Sequence, residues 1–180
     1  MKGWTVGLLA VACALFALPT TASGDSATHT YLLEVEVPNV SQAPNGDRVA
    51  ITGEGEFQVH PKAVEAEGRF THTDSAGTVL AAGTWTATKL RAYQSYGCGV
   101  LLGDPIPPEL CGGKLKMAVV LTPDGTSLQI PAILTVFCII GPNPPNSHDD
   151  PSGEGITLVV PGVVNFNKLV SGMNVYIQTS

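Results

Sequence analysis

"RVAITGEGEFQVH", Arg48 to His60, decides how this chain folds. Its odd positions are Val49, Ile51, Gly53, Gly55, Phe57 and Val59; its even positions are Arg48, Ala50, Thr52, Glu54, Glu56, Gln58 and His60. A split of period two puts the large apolar side chains on one side of an extended backbone and the charges on the other, as in a strand with one buried and one wet face. "YLLEVEV" repeats the pattern, with Tyr31, Leu33, Val35 and Val37 opposite Glu34 and Glu36. "KLKMAVVLT" does so again through Leu115, Met117, Val119 and Leu121. Beyond the N-terminal leader, no segment carries a convincing stripe at the helical period.

Turn signals at "APNGD", "DSAG" and "TPDG" separate these runs, each offering a residue that tolerates positive φ or presets a turn. Strands are expected near 30–37, 47–60, 66–73, 77–90, 91–96, 114–122, 131–140, 154–160 and 173–178. Eight or nine short strands in antiparallel succession predict an all-β fold, a single antiparallel barrel of about eight strands, with a two-sheet sandwich as the alternative. "AILTVFCII" is apolar at both parities, as a strand covered on both faces would be. Two Gly/Pro-rich stretches, "GCGVLLGDPIPPELCGG" and "GPNPPNSHDDPSGEG", read as long loops able to carry binding residues.

The first 24 residues pair one early lysine with an apolar run from Val6 to Leu18 and the small residues Ala22, Ser23 and Gly24. That is the layout of a secretory signal peptide, its apolar core being shorter than the roughly 20 residues a membrane-spanning helix needs. A lipoprotein reading centred on Cys13 is the rival. The expectation is one secreted domain over 25–180, outside the cell and without membrane insertion. Removing the leader takes Lys2 and none of the fifteen acidic residues, so eight basic residues face fifteen acidic ones and the net charge is near −7. The basic residues are scattered, and a nucleic-acid partner, which would want a clustered basic patch, is not expected. Cys98, Cys111 and Cys138 remain. In an oxidising compartment an odd count leaves one thiol over, and Cys98 pairs with Cys111 because the two bracket a single Gly/Pro-rich loop while Cys138 sits in a core strand.

The histidines His60 and His72 do not form a metal pair on this register. His60 falls on the wet face of its strand, whereas His72 shares parity with Phe70 and Gly68 on "AEGRFTHT". Pairing 70 with 81 and 68 with 83 places Phe57, Phe70, His72 and Trp85 on one inner face, and the glycines beside them leave space there. These four are the candidate ligand contacts. Lys89 continues the inner parity where a charge is costly, which predicts a bulge or a strand end there that brings Leu90 inward instead. Asp149, Asp150 and Glu154 lack the spacing of a calcium loop, and no metal or cofactor is expected. No catalytic motif is present, and Cys138 reads as an inert core thiol. Asn39-Val40-Ser41 fits the N-glycosylation pattern.

"GEGEFQVHP", "GRFTHTDSAGTVLAAGTWTATKL", "QSYG", "AILTVFCII", "EGITL" and "NFNKLVSG" together resemble a family of small secreted proteins without an assigned activity, and the glycine–aromatic hairpins are similar to those of allene oxide cyclase-like and dirigent-like barrels. The second resemblance implies an eight-stranded barrel with a lumen for an apolar small molecule. The expected function is a non-catalytic exported β-domain that binds an apolar small molecule or a cell-surface partner. The alternatives are a small barrel enzyme, cyclase-, isomerase- or hydrolase-like, with His72 and a nearby carboxylate as acid/base groups, and a structural accessory domain.

Overall fold

The computed structural model describes residues 28–144 and 153–180. The expected leader, Cys13, Asp149 and Asp150 lie outside the described residues. Within them the ordered elements are all strands: β1 (Thr30–Gln42), β2 (Arg48–Gln58), β3 (Ala63–Thr73), β4 (Val79–Cys98), β5 (Val100–Leu101), β6 (Asp104–Pro105), β7 (Leu110–Pro123), β8 (Ile130–Cys138), β9 (Gly155–Val160), β10 (Val164–Phe166), β11 (Lys168–Ser171) and β12 (Asn174–Gln178). The strand pairs are antiparallel. β1 to β4 form a meander, β4 pairs β7, and β7 pairs β8, then β9 and β10. The C-terminal β12 lies between β7 and β1, and β11 pairs the far end of β1.

Several expected boundaries are corrected. The segments expected at 77–90 and 91–96 are one strand, β4. Its register against β7 slips between Ala87 and Lys89, Leu90 and Ala92, and Ser95 and Gly97. Each slip inserts one extra residue, which resets parity without ending the strand. The first carries out the switch expected at Lys89: Lys89 is exposed and Leu90 buried. β1 likewise continues to Gln42 through a bulge between Val35 and Asn39. Phe70 pairs Gly83 rather than Ala81, and Gly68 pairs Trp85 rather than Gly83. The loop is the reason. Asp74 accepts the Ala76 and Thr78 N–H groups on its carboxylate, closing a wider turn, and the register slips between His72 and Thr73. A shift of two preserves every face, so the parity assignment survives the error.

The buried face is one continuous cluster that includes Leu33, Ile51, Phe57, Trp85, Leu115, Met117, Leu134, Leu158 and Tyr176. On β8, Ala132, Leu134, Val136 and Cys138 are buried, and on the opposite parity Thr135 is buried and Ile133 and Phe137 are half-covered, with Lys114 Nζ 5.4 Å from the Phe137 ring centroid. Cys98 and Cys111 are direct cross-strand partners and form the disulfide. Closing this short loop contributes on the order of 3 kcal/mol in the chain-entropy account.

Trp85 is fully buried at the centre of the meander. Its direct partner on β3 is Gly68, whose partner on β2 is Gly53. A methyl group at either glycine would run into the indole. The ring therefore fills the space that the two glycines leave, and its Nε1–H donates to Thr52 O at 2.9 Å. Gly83 similarly makes room for Phe70. Gly68→Ala should cost about 1–3 kcal/mol through overpacking, and Trp85→Ala about 3–5 kcal/mol through the cavity it leaves. Urea denaturation of the two variants measures both.

Candidate functional site

Phe57, Phe70, His72 and Trp85 lie on one face, yet they do not converge. His72 pairs Val49 on β2, eight residues from Phe57 on the same strand, so His72 and Phe57 stand roughly 27 Å apart along the sheet. Phe57 belongs to an aromatic group with Tyr31, Tyr93 and Tyr176, at centroid distances of 5.0, 4.9 and 5.5 Å. Tyr93 and Tyr176 donate their hydroxyls to Gly112 O and Val136 O. Phe70 and Trp85 lie between the two ends and are buried. Three of the four candidates, Phe57, Phe70 and Trp85, are thus part of the core itself.

His72 is at the rim, half-buried, whereas His60 is exposed. Its Nε2 is 3.2 Å from Asp47 Oδ2, and its ring meets Phe166 edge-on at 5.2 Å. Asp47 closes the β1–β2 turn, where its carbonyl accepts the Ala43 N–H. The nearest hydroxyl on the same cross-strand row is Ser41, which donates to Phe166 O. The pair ties the end of β3 to the β1–β2 turn.

A second polar group closes the seam between β8 and β12, which are not paired as strands. Glu154 accepts the Ile139 N–H at 2.8 Å and the Asn174 N–H at 2.6 Å. Asn174, itself buried, donates to Asn39 Oδ1 and Phe137 O, each at 2.9 Å. Asn39 is fully buried and donates to Val37 O and Met173 O. The residue that fits the glycosylation pattern therefore has its amide nitrogen committed inside the fold, where a glycan has no room. Burial pushes the Glu154 carboxyl up to about 7, against the two N–H groups that favour its ionised form. Burial also pushes the Cys138 thiol up to about 12, which keeps it protonated. Among the described residues no group of three or more His, Cys, Asp or Glu side chains could hold a metal ion, and no helix could cross a membrane.

The concave surface lies on the other face of the meander. Pairing of β3 with β4 stops at Glu67 and Thr86. Beyond it, residues 63–66 pair only with β2, and residues 87–98 pair only with β7. The bulges between Ala87 and Lys89 and between Leu90 and Ala92 cause the parting, because each increases local twist and turns β4 away. A groove of about 680 Å³ opens there. Glu34, Glu54 and Glu67 stand directly opposite one another across β1, β2 and β3, and Leu32, Glu56 and Glu65 form the next row. The ion pairs among the described residues, Arg69–Asp124 and His72–Asp47, engage none of these glutamates. Parity places Glu54 and Glu56 toward water, but which glutamate faces which depends on loop length, and so the five were not legible as a group.

No family model matches the chain, and no curated protein or solved structure matches it either.

Two outcomes follow from these charges. Like charges directly opposite on a sheet are destabilising, so Glu54→Gln should raise stability by about 0.2–1 kcal/mol in low salt and by less in high salt, read by denaturant titration. Glu154 has a folded pKa of about 7 against an ordinary value of 4.5. A raised value means the folded state holds the proton more tightly. The stabilisation is complete below pH about 4.5 and is lost as pH rises through about 7, a difference on the order of 1–3 kcal/mol. Denaturation midpoints from pH 4.5 to 8 should fall with pH, and Glu154→Gln should flatten that slope while lowering stability at the acid end.

Proposed function

We propose that the chain is an exported, non-catalytic β-domain, rolled as a single barrel of about eight strands around a filled interior, which binds a cationic protein partner on its outer face. The barrel reading rests on the circuit of pairings that runs from β1 through β2, β3 and β4 to β7 and returns by β12 to β1, six strands, to which β8 and β9 add beside β7 to make eight. Export rests on the leader-like first 24 residues, with the Cys98–Cys111 disulfide compatible with it. A surface partner is preferred to an apolar small molecule because Phe57, Phe70 and Trp85 are spent on the core. An apolar ligand among them would have to displace Trp85 from its glycines.

The observation that carries the reading is the acidic groove, five glutamates set in two cross-strand rows at a net cost to the sheet. Electrostatic complementarity of this kind steers a partner of opposite charge and is sensitive to salt. A fluorescein-labelled peptide alternating lysine with valine or alanine should bind the purified protein at low ionic strength and weaken steeply toward 0.5 M salt, a concentration at which the screening length is roughly 4 Å. Glu54→Gln/Glu56→Gln/Glu65→Gln should weaken it about tenfold or more. Equal binding by this variant, or none by either protein, would sink the reading.

A second reading, acid/base catalysis, is favoured by the 3.2 Å contact of His72 with Asp47. It requires that His72→Gln abolish a turnover found on ester or enone panels. On the favoured reading that substitution costs only stability, about 1 kcal/mol, and leaves peptide binding unchanged.

A further inference from the structure

We propose that the parting between β3 and β4 is a strand-acceptor site, into which a short, extended, lysine- or arginine-rich segment of a partner protein adds as a strand beside residues 63–66. This deepens the reading of the outer face as a partner surface and rests on it.

The backbone supplies the first part of the argument. In an antiparallel ladder, alternate residues aim their N–H and C=O groups at one neighbouring strand and then the other. Residues 63–66 have β2 on one side; on the other the ladder to β4 has ended at Glu67. An unpaired strand edge is a template for another chain, and strand addition is a general mode of peptide recognition. The facing edge of β4 does not serve, because its bulges interrupt regular pairing and Lys62 Nζ is bonded to Arg91 O at 3.0 Å across the gap. The edge of β3 carries no register slip between Ala63 and Glu67 in its pairing with β2. The groove, at about 680 Å³, is within the roughly 300–1,000 Å³ range of clefts that hold ligands.

Side chains then set the chemistry of the guest. Inward of the open edge lie Val64, Ala66 and Ala87, so alternate guest residues must be small and apolar. Outward stands Glu65, with its cross-strand partner Glu56 behind it and Glu67 at the closed end. The other alternate guest residues meet carboxylates and must be basic. Lys62 and Arg91 meet at the open end through the Lys62 Nζ–Arg91 O bond, which confines the basic stretch to the part beside residues 64–66. A second copy of this chain is disfavoured as guest, since edge-to-edge pairing would bring two sets of glutamates together.

The test uses the heptapeptide Lys-Val-Lys-Ala-Lys-Val-Lys and two versions carrying N-methyl groups at alternate residues, one in each phase. N-methylation keeps every charge and side chain but removes the N–H groups on one edge. Fluorescence anisotropy at low salt should show tight binding of the parent peptide and a loss of about tenfold or more in at least one phase. Glu56→Gln/Glu65→Gln should lose a similar factor, and amide hydrogen exchange at residues 63–66 should slow in the complex. Equal binding of all three peptides, with weaker binding by the glutamate variant, would overturn strand addition and leave the charged-surface reading standing. No binding of the parent peptide would overturn both. A concentration-dependent dimer that the peptide dissociates would assign the edge to a second copy and overturn the basic partner.

Discussion

The structure hangs on the contact between Trp85 and two glycines. Gly53, Gly68 and Trp85 are successive partners across β2, β3 and β4. The indole lies over both glycines and is anchored by its bond to Thr52 O. One large ring on two absent side chains pins three strands in register, because a slip of one residue would place a Cβ under the ring or turn the ring to water. Close packing of this kind leaves little void, and the rest of the core follows from it: Phe70 over Gly83 on one side and the aromatic group around Phe57 on the other.

That register also determines where the sheet fails to continue. β4 must serve β3 in its first half and β7 along most of its length. The bulges that let Leu90 and Tyr96 reach the core twist the strand away from β3. The open edge and the groove are consequences of satisfying the interior. The glutamates lining them sit on the wet parity of the same strands whose dry parity builds the Trp85 socket, so core and candidate surface are two faces of one pattern.

Where β8 and β12 come together without pairing, side chains replace the ladder. Glu154 accepts two backbone N–H groups, and the buried Asn39 and Asn174 amides bridge β1, β8 and β12. Buried backbone groups need partners. Here a carboxylate and two amides provide them, at the cost of desolvating Glu154 and raising its pKa.

The sequence by itself determined the faces. Alternation along 48–60 and 30–37 assigned Val49, Ile51, Phe57 and Leu33 inward and Glu34, Glu36, Glu54 and Glu56 outward, and the hairpin parity added Trp85 to the inner face, because side-chain direction in a strand has period two and an even error in register leaves it unchanged. From local pattern, too, the inward turn of Leu90, the greater exposure of His60 and the Cys98–Cys111 pair could be read. Only the tertiary structure decided which residues stand opposite one another. Cross-strand partners depend on the number of residues in a loop and on bulges, as the two-residue shift at Phe70 demonstrates, and neither leaves a periodic trace. Hence the space beside Gly68 read as room for a ligand until Trp85 was found to fill it, Asn39 matched a glycosylation pattern until β1 was seen to run on through it and bury its side chain, and the rows of glutamates became visible only once three strands were laid side by side.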